Sequence, residues 1–162
     1  MSQEPSEARN SYVDGCAQFS VNLGQRNSMD FDVVMKDLHA IYQTGSDGHI
    51  PADARLTEDD IRRWTDLLGE PRAGLYDRIA TYLARGFHNA ELPFEFCDAV
   101  VNDIFSVTLS ADEDRPKLFW EVYLAFDEGE YYHDNNRDED PVETYTRPQI
   151  ASIVESLNHP NS

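Results

Sequence analysis

Residues 92–105, LPFEFCDAVVNDIF, decide the fold of this chain of 162 residues. Apolar side chains recur there every three or four positions, at Phe96, Cys97, Val100, Val101 and Ile104. That spacing places them on one face of a helix, which is the face that packs against a core. Pro93 suits the first helical turn, where its missing N–H costs nothing. The stretch therefore predicts a helix from Pro93 to about Phe105.

Similar patterns on both sides of this stretch predict further helices. Thr57 and Thr146 are suitable N-caps for two of them, while Gly69 follows the last apolar residue of the helix that Thr57 caps and Gly86 follows that of the next helix. The predicted ranges are about 28–44, 58–68, 72–85, 114–128 and 146–157. The sequence thus predicts a mainly α fold, an antiparallel bundle of about six helices with short connections.

The N-terminal part of the chain carries different patterns. Residues 1–11 are polar and are predicted to form a disordered tail. Phe19, Val21 and Leu23 alternate with polar residues, which predicts one small β element over residues 16–23. Residues 24–27 follow it as a predicted turn.

The same patterns predict how the domain is organised. Residues 12–162 form a single helical domain. Within it, residues 28–70 are an N-terminal helical extension, and residues 72–158 are the core of a four-helix bundle. The two cysteines, Cys16 and Cys97, are far apart and form no CxxC motif, so both are predicted to be free thiols.

Charge narrows the classes of partner. The chain has 31 acidic and 13 basic residues and a net charge of −18. Such a charge repels nucleic acid and anionic membranes and favours a cationic protein, whose association it accelerates. The alternative is that the charge serves solubility alone. No apolar run approaches the ~18 residues of a membrane span and no leader pattern is visible, so a cytoplasmic location is expected.

Half of the net charge lies in residues 112–143, which hold twelve acids and three bases. Carboxylates bind lysine and arginine strongly, and tyrosine is frequent among residues that dominate binding energies. The sequence therefore predicts a partner-binding face made of Glu121, Asp127, Glu128, Glu130, Tyr131, Tyr132, Asp134, Asp138, Glu139 and Asp140. The alternative is a solvated loop with both tyrosines folded back onto the bundle.

Motifs of catalysis do not occur in the chain. It has no GxSxG, P-loop, GxGxxG or HExxH pattern, and neither cysteine lies in a nucleophile motif. Asp134, Asn136 and Asp138 alternate near Glu130 and His133, which leaves weak divalent-metal binding in the 127–140 loop as an alternative. The prediction is a protein that is not an enzyme and that has no cofactor and no bound metal.

A family resemblance rests on four features of residues 76–157. These are LARGFHNAE at 83–91, the LPFEFCDAVVNDIF helix, the LFWEVY helix at 118–123, and a tyrosine-containing acidic loop before a terminal helix. In this layout the chain resembles the colicin D immunity-like proteins of bacteria. It departs from them by an N-terminal extension of about 70 residues.

The resemblance implies a four-helix antiparallel bundle that binds a cognate ribonuclease toxin. In that family the toxin cleaves transfer RNA, and acidic side chains of the immunity protein take the place of the RNA backbone. The function predicted for this chain is therefore an immunity or antitoxin protein that inhibits a basic nuclease. An acidic helical adaptor or structural protein remains the alternative, and the oligomeric state stays open.

Overall fold

The computed structural model describes residues 14–135 and 137–159, with the side chains of residues 24–134 and 137–159, and confirms the mainly α fold. This part of the chain holds six α-helices and no β-strand. The helices are α1 (Asp14–Ile41), α2 (Glu58–Leu68), α3 (Arg72–His88), α4 (Phe94–Ser110), α5 (Lys117–Asp127) and α6 (Arg147–Asn158). A 3-10 turn at His133–Asn135 and a π-helical turn at Val142–Thr146 lie between α5 and α6. None of the described helices is both long and apolar enough to cross a membrane.

Helix α1 corrects the prediction for the N-terminal part of the chain. The predicted β element at 16–23 and the predicted turn at 24–27 are both wrong, because one helix of 28 residues runs through them. No other strand lies in the described residues to pair with a β element, and a lone strand would leave its backbone N–H and C=O groups unpaired. A helix pairs these groups within itself. The tail predicted at 1–11 lies outside the described residues.

Helix α2 is held by its own cap and by α1. The side-chain oxygen of Thr57 accepts a hydrogen bond from the backbone N–H of Asp60, whose carboxylate in turn accepts one from Thr57 N at 2.9 Å. The predicted N-cap is therefore confirmed. Trp64 is fully buried, and its Nε1–H donates to Oδ2 of Asp37 on α1 at 2.9 Å. Arg63 pairs with the same carboxylate oxygen at 2.9 Å.

Helices α3 to α6 enclose the larger part of the hydrophobic core. Helix α3 packs against α5 and α6, and α4 packs against α3 and α5. The residues of α4 predicted to be buried are all buried, although the helix continues beyond Phe105 to Ser110. The thiol of Cys97 is free, and burial raises its pKa far above the ordinary value. The side chain of Cys16 is not among those described.

Gly86 does not end α3, as the sequence predicted, but lies inside it. The helix continues to His88, and the turn after it folds back so that Leu92 packs directly over Gly86. A Cβ at this position would overlap the Leu92 side chain. Both Glu91 N and Leu92 N donate to the carbonyl oxygen of Gly86, at 2.8 and 3.1 Å. The glycine is therefore used for close packing between α3 and the segment that leads into α4.

Thr146 is not the N-cap that the sequence predicted for α6. It has helical backbone angles in the π-helical turn, and its side chain makes no capping hydrogen bond. Its hydroxyl is buried and has no hydrogen-bond partner among the described residues, and it lies against Gly129, where a Cβ would overlap it. Helix α6 begins at Arg147 with Pro148 in its first turn. The contact between Thr146 and Gly129 brings the two ends of the acidic loop together.

Candidate protein-binding face on α4 and α5

The ten predicted face residues do not all lie together, and Glu121 lies apart in a groove on α5. It lines a groove between α5 and α6 together with Leu118, Leu124 and Ile153. Its carboxylate lies 3.6 Å from the ammonium group of Lys117, one helical turn earlier. Both side chains of this pair are exposed, so the contact contributes little to stability.

His133 organises the residues that follow α5. Its Nε2 atom lies 3.0 Å from a carboxylate oxygen of Glu128 and 3.1 Å from the Glu128 carbonyl oxygen. Because both of these atoms are acceptors, Nε2 carries a proton. The imidazole also packs between Tyr131 and Tyr145, with ring centroids 4.7 and 4.0 Å away.

The two tyrosines of the predicted face are both open to solvent. Tyr131 is 48% exposed and Tyr132 is 53% exposed, so neither is folded into the core. Asp134 is exposed as well and has a positive φ of 53°. These residues therefore form an accessible rim after α5, as a binding face requires.

The last three predicted residues, Asp138, Glu139 and Asp140, are exposed at the far end of the loop. Asp140 holds the π-helical turn, because its carboxylate accepts from Val142 N and its carbonyl oxygen accepts from Thr144 N, both at 3.0 Å. Its local role is therefore structural. Within the described residues no three His, Cys, Asp or Glu side chains are arranged to hold a metal ion.

A cluster of three carboxyl groups joins α4 to the end of α5. Its members are Asp98 of α4, Asp127 at the end of α5, and Glu130 in the loop that follows. The side-chain amide of Asn102 donates to Oδ1 of Asp98 at 3.1 Å and to Oε1 of Glu130 at 2.8 Å. In the described part of the chain, none of the three carboxyls forms an ion pair with a lysine, arginine or histidine.

This arrangement changes the protonation of Asp98. Burial raises the pKa of its carboxyl to about 8, and the neighbouring charges of Glu130 and Asp127 act in the same direction. At neutral pH the group is therefore mostly protonated and shares its proton with Glu130. Burial also raises the pKa of Tyr123 beside the cluster, with further contributions from Asp127 and Glu130.

Three aromatic rings continue the surface beyond the carboxyl cluster. Tyr123 stacks on Phe105 of α4 with centroids 4.4 Å apart, and on Trp120 with centroids 5.3 Å apart. All three side chains are only partly buried. The guanidinium of Arg115 lies 5.3 Å from the Phe105 ring and 5.1 Å from the Trp120 ring. Leu109, which is 57% exposed, lies one turn beyond Phe105 on α4.

These groups form one surface because α4 and α5 run in opposite directions. Asp98 at the start of α4 meets the end of α5, and Phe105 further along α4 meets Trp120 near the start of α5. We call this surface the α4–α5 face. Its residues are Asp98, Asn102, Phe105 and Leu109 on α4, Trp120, Tyr123 and Asp127 on α5, and Glu130.

The α4–α5 face has the anatomy of a protein-binding surface. Rigid aromatic side chains lie at its centre, while carboxyl groups occupy one end and the Arg115 cation the other. Binding faces on proteins commonly combine an aromatic centre with a charged rim. Two of the ten predicted residues, Asp127 and Glu130, belong to this face, and Tyr131 follows it directly in the chain.

Sequence reasoning missed six of its residues: Asp98, Asn102, Phe105, Leu109, Trp120 and Tyr123. The available signal was their spacing, since they recur at three- and four-residue intervals on the half-exposed sides of two consecutive helices. Most of them lie within or next to strongly apolar stretches, and such stretches predict buried positions rather than a binding surface.

The chain matches no protein-family model, no curated protein and no solved structure. Its function therefore has to be inferred from the geometry and charge of its own surface. The α4–α5 face is the strongest starting point, because it brings unneutralised carboxyls and stacked aromatic rings together.

Proposed function

We propose that this chain is an immunity-type inhibitor that binds a basic protein through the α4–α5 face and blocks it. The partner is a ribonuclease toxin. The observation that carries the proposal is the carboxyl cluster of Asp98, Asp127 and Glu130, which adjoins the stacked rings of Phe105 and Tyr123 on one surface.

The cluster is suited to a cationic side chain from outside the molecule. Asp98 retains a proton at neutral pH, because burial and, in addition, the facing carboxyls of Glu130 and Asp127 raise its pKa. A lysine or arginine at this point would replace the proton, relieve the repulsion between the carboxylates and make charge-assisted hydrogen bonds. Binding of a cation therefore improves an arrangement that is costly in the free protein.

The aromatic rings supply the other part of the binding free energy. Stacking fixes Trp120 and Tyr123 against Phe105, so a partner that covers them loses little side-chain entropy. Tyrosine and tryptophan in such settings often dominate the free energy of association. Arg115 beside Trp120 gives the opposite end of the face a positive charge, which fixes the orientation of the partner.

A ribonuclease fits this surface because its active site is basic. An enzyme that cleaves RNA must attract phosphates, and it presents lysine and arginine where the RNA lies. An acidic protein with a net charge of −18 competes for the same site and does not itself attract RNA. The resemblance of residues 76–157 to the colicin D immunity-like proteins supports the same class of partner.

The test uses Asp127→Lys/Glu130→Lys and a purified ribonuclease domain of the colicin D type. The unchanged chain is expected to stop cleavage of transfer RNA at an equimolar ratio. Association of the double variant is expected to be at least tenfold slower at low salt, because steering charges are reversed, and the difference is expected to shrink at high salt. Stopped-flow association and a gel assay of cleavage measure the two effects.

The matched control is Asp53→Lys/Asp66→Lys, which changes the net charge equally at exposed sites in the 42–57 loop and on α2. It should leave inhibition intact and slow association much less. Equal slowing of association by both double variants would show that the net charge is responsible, and the proposal that the partner binds through the α4–α5 face would then be wrong. Binding without inhibition would favour the adaptor, and absence of binding would remove the ribonuclease proposal.

A further inference from the structure

A second concave site lies next to the α4–α5 face and shares Asp98 with it. It is a cleft of about 820 Å³ between the end of α1, the loop after α1, and the first turns of α4. We call it the α1–α4 cleft. Ligand sites in proteins typically have volumes of about 300–1,000 Å³, so the cleft is large enough for a side chain and its backbone.

One wall of the cleft is held in place by contacts within the molecule. His39 Nε2 lies 2.7 Å from the hydroxyl of Tyr82, and the imidazole stacks on Phe96 with centroids 4.6 Å apart and planes at 14°. On the same wall, the hydroxyl of Tyr42 donates to Oδ2 of Asp103 at 2.5 Å. A preformed site of this kind loses little entropy when a ligand binds.

The charges that line the cleft select a cation. The described residues that line it include Glu91, Glu95 and Asp98 and two histidines, His39 and His49, but no lysine or arginine. The C-terminal end of α1, which carries a partial negative charge, opens on the cleft at His39 and Tyr42. The N-terminal end of α4 is partly positive, and Glu95 in its first turn offsets that charge.

We propose that the α1–α4 cleft receives an arginine side chain of the basic partner that covers the α4–α5 face. The inference rests on the proposed function and names where the partner's main cationic anchor binds. Asp98 lines the cleft and also contacts Glu130 in the carboxyl cluster, so a cation in the cleft lies beside the carboxyls of the face. A partner on the α4–α5 face therefore needs only one extended side chain to reach it.

The cleft favours arginine over lysine for a geometric reason. A guanidinium is planar, stacks on aromatic rings and forms two parallel hydrogen bonds with a carboxylate. The exposed His39 ring offers a flat surface, and Glu95 and Asp98, one helical turn apart on α4, offer the carboxyls. A lysine ammonium could use the charge of the cleft but not its flat aromatic surface.

The first experiment uses defined probes and the full chain, without any partner. Nα-acetyl-arginine methylamide, its lysine equivalent and its neutral citrulline equivalent are titrated while ¹H–¹⁵N NMR spectra are recorded. The arginine probe is expected to shift the resonances of residues 39–50 and 91–99 saturably, at least fivefold more tightly than the lysine probe. The citrulline probe is expected to shift none. Shifts spread evenly over the acidic surface, or equal affinity for lysine, would overturn the proposal.

The second experiment separates the cleft from the α4–α5 face. Glu91→Gln/Glu95→Gln is expected to weaken the arginine probe at least fivefold, whereas Asp53→Asn/Asp66→Asn is expected to leave it unchanged. Asp127→Lys/Glu130→Lys changes the face and leaves Glu91 and Glu95 of the cleft in place. If the Glu91→Gln/Glu95→Gln variant keeps full affinity for the arginine probe, the proposal that the cleft binds arginine is wrong, even if the protein still inhibits the ribonuclease. If the cleft binds the probe but no ribonuclease is inhibited, only the proposed function fails.

Discussion

Acidic residues are abundant both in the α1–α2 region and on the α4–α5 face, but their surroundings differ. In the α1–α2 region several of them pair with arginines, for example Asp37 with Arg63 at 2.9 Å and Asp59 with Arg62 at 2.6 Å. On the α4–α5 face Asp98 instead contacts the carboxyl of Glu130 and takes up a proton. Arginines of the same molecule therefore offset part of the charge of the first region, whereas the clustered carboxyls of the second form no ion pair within the described residues.

The comparison shows why net charge alone does not locate a binding site. A carboxylate that is paired with an arginine near the surface changes the stability of the protein little, so its presence does not indicate a partner. Carboxyl groups that face one another without a cation raise the free energy of the folded protein. The arrangement of such carboxyl groups indicates a binding site better than the net charge of −18 does, because a cation from a partner lowers the free energy of the folded protein at that place.

The largest change in stability is expected in the α1–α2 region, where Trp64 contributes to folding rather than to binding. Trp64→Ala removes a fully buried indole and its hydrogen bond to Asp37. The free energy of unfolding is expected to fall by about 3–5 kcal/mol, as for other large aromatic residues cut back to alanine in a core. Urea unfolding followed by circular dichroism measures the loss.

Trp64→Phe is the matched control, because it keeps an aromatic ring in the core while it removes the hydrogen bond and a smaller part of the packing. It is expected to cost about 1–2 kcal/mol. A cost below about 1 kcal/mol for Trp64→Ala would show that α2 contributes little to the stability of the fold. It would contradict the structural role of the α1–α2 region.

An intermediate effect is expected at Asp98, with an unusual dependence on pH. An aspartate in the unfolded chain has a pKa near 3.9, while in the folded protein burial and the adjacent carboxylates raise it to about 8. Between these values the folded protein binds the proton more tightly, so the free energy of unfolding falls as pH rises from about 4 to 8. Asp98→Asn removes this loss.

The Asp98→Asn variant is expected to be about 1–2 kcal/mol more stable than the unchanged chain at pH 9, a figure reduced for partial solvent exposure. Near pH 4 the two should agree closely, since both carry an uncharged group there. Asp66→Asn controls for the general removal of one negative charge. Thermal unfolding across this pH range is the measurement, and a difference that does not grow with pH would contradict the protonated cluster.

The smallest effect is expected at Glu121, the predicted face residue that lies in the α5–α6 groove. Glu121→Gln removes an exposed pair with Lys117, so stability should change by less than about 0.5 kcal/mol. Association with the ribonuclease should also remain within twofold of the unchanged chain, because Glu121 lies outside the α4–α5 face. A slowing as large as that from Asp127→Lys would extend the face around α5.

Most of the helices could be predicted from the sequence, since their apolar spacing and caps are local signals. The Thr57 cap, the Gly69 stop and the buried side of α4 are of this kind. Two of the errors, at Gly86 and at Thr146, arose where distant contacts decide the structure. Leu92 packs over Gly86 and Gly129 meets Thr146, and neither contact is visible in the spacing of residues along the chain.

The binding site was less predictable than the fold for the same reason. The sequence indicated the acid-rich stretch after α5, and Asp127 and Glu130 of that stretch do belong to the α4–α5 face. Asp98 lies about thirty positions earlier, within an apolar helix, and joins them only because α4 and α5 are antiparallel. Which carboxyls lack a cation is a property of the folded arrangement, so counting charges along the chain does not reveal it.

The two tryptophans of the chain are distributed one to each of the regions compared above. Trp64 is sealed between α1 and α2, whereas Trp120 lies half-exposed among Arg115, Tyr123 and Phe105. Under ultraviolet excitation the molecule therefore carries two separate optical probes. Emission from Trp64 should shift to longer wavelength only when α2 detaches, and emission from Trp120 should respond to quenchers until a partner covers it. Replacing Trp120 by phenylalanine leaves Trp64 as the single tryptophan, whose emission reports whether α2 is in place. Replacing Trp64 instead leaves Trp120, whose emission reports whether a partner covers the face, and neither measurement needs an attached dye.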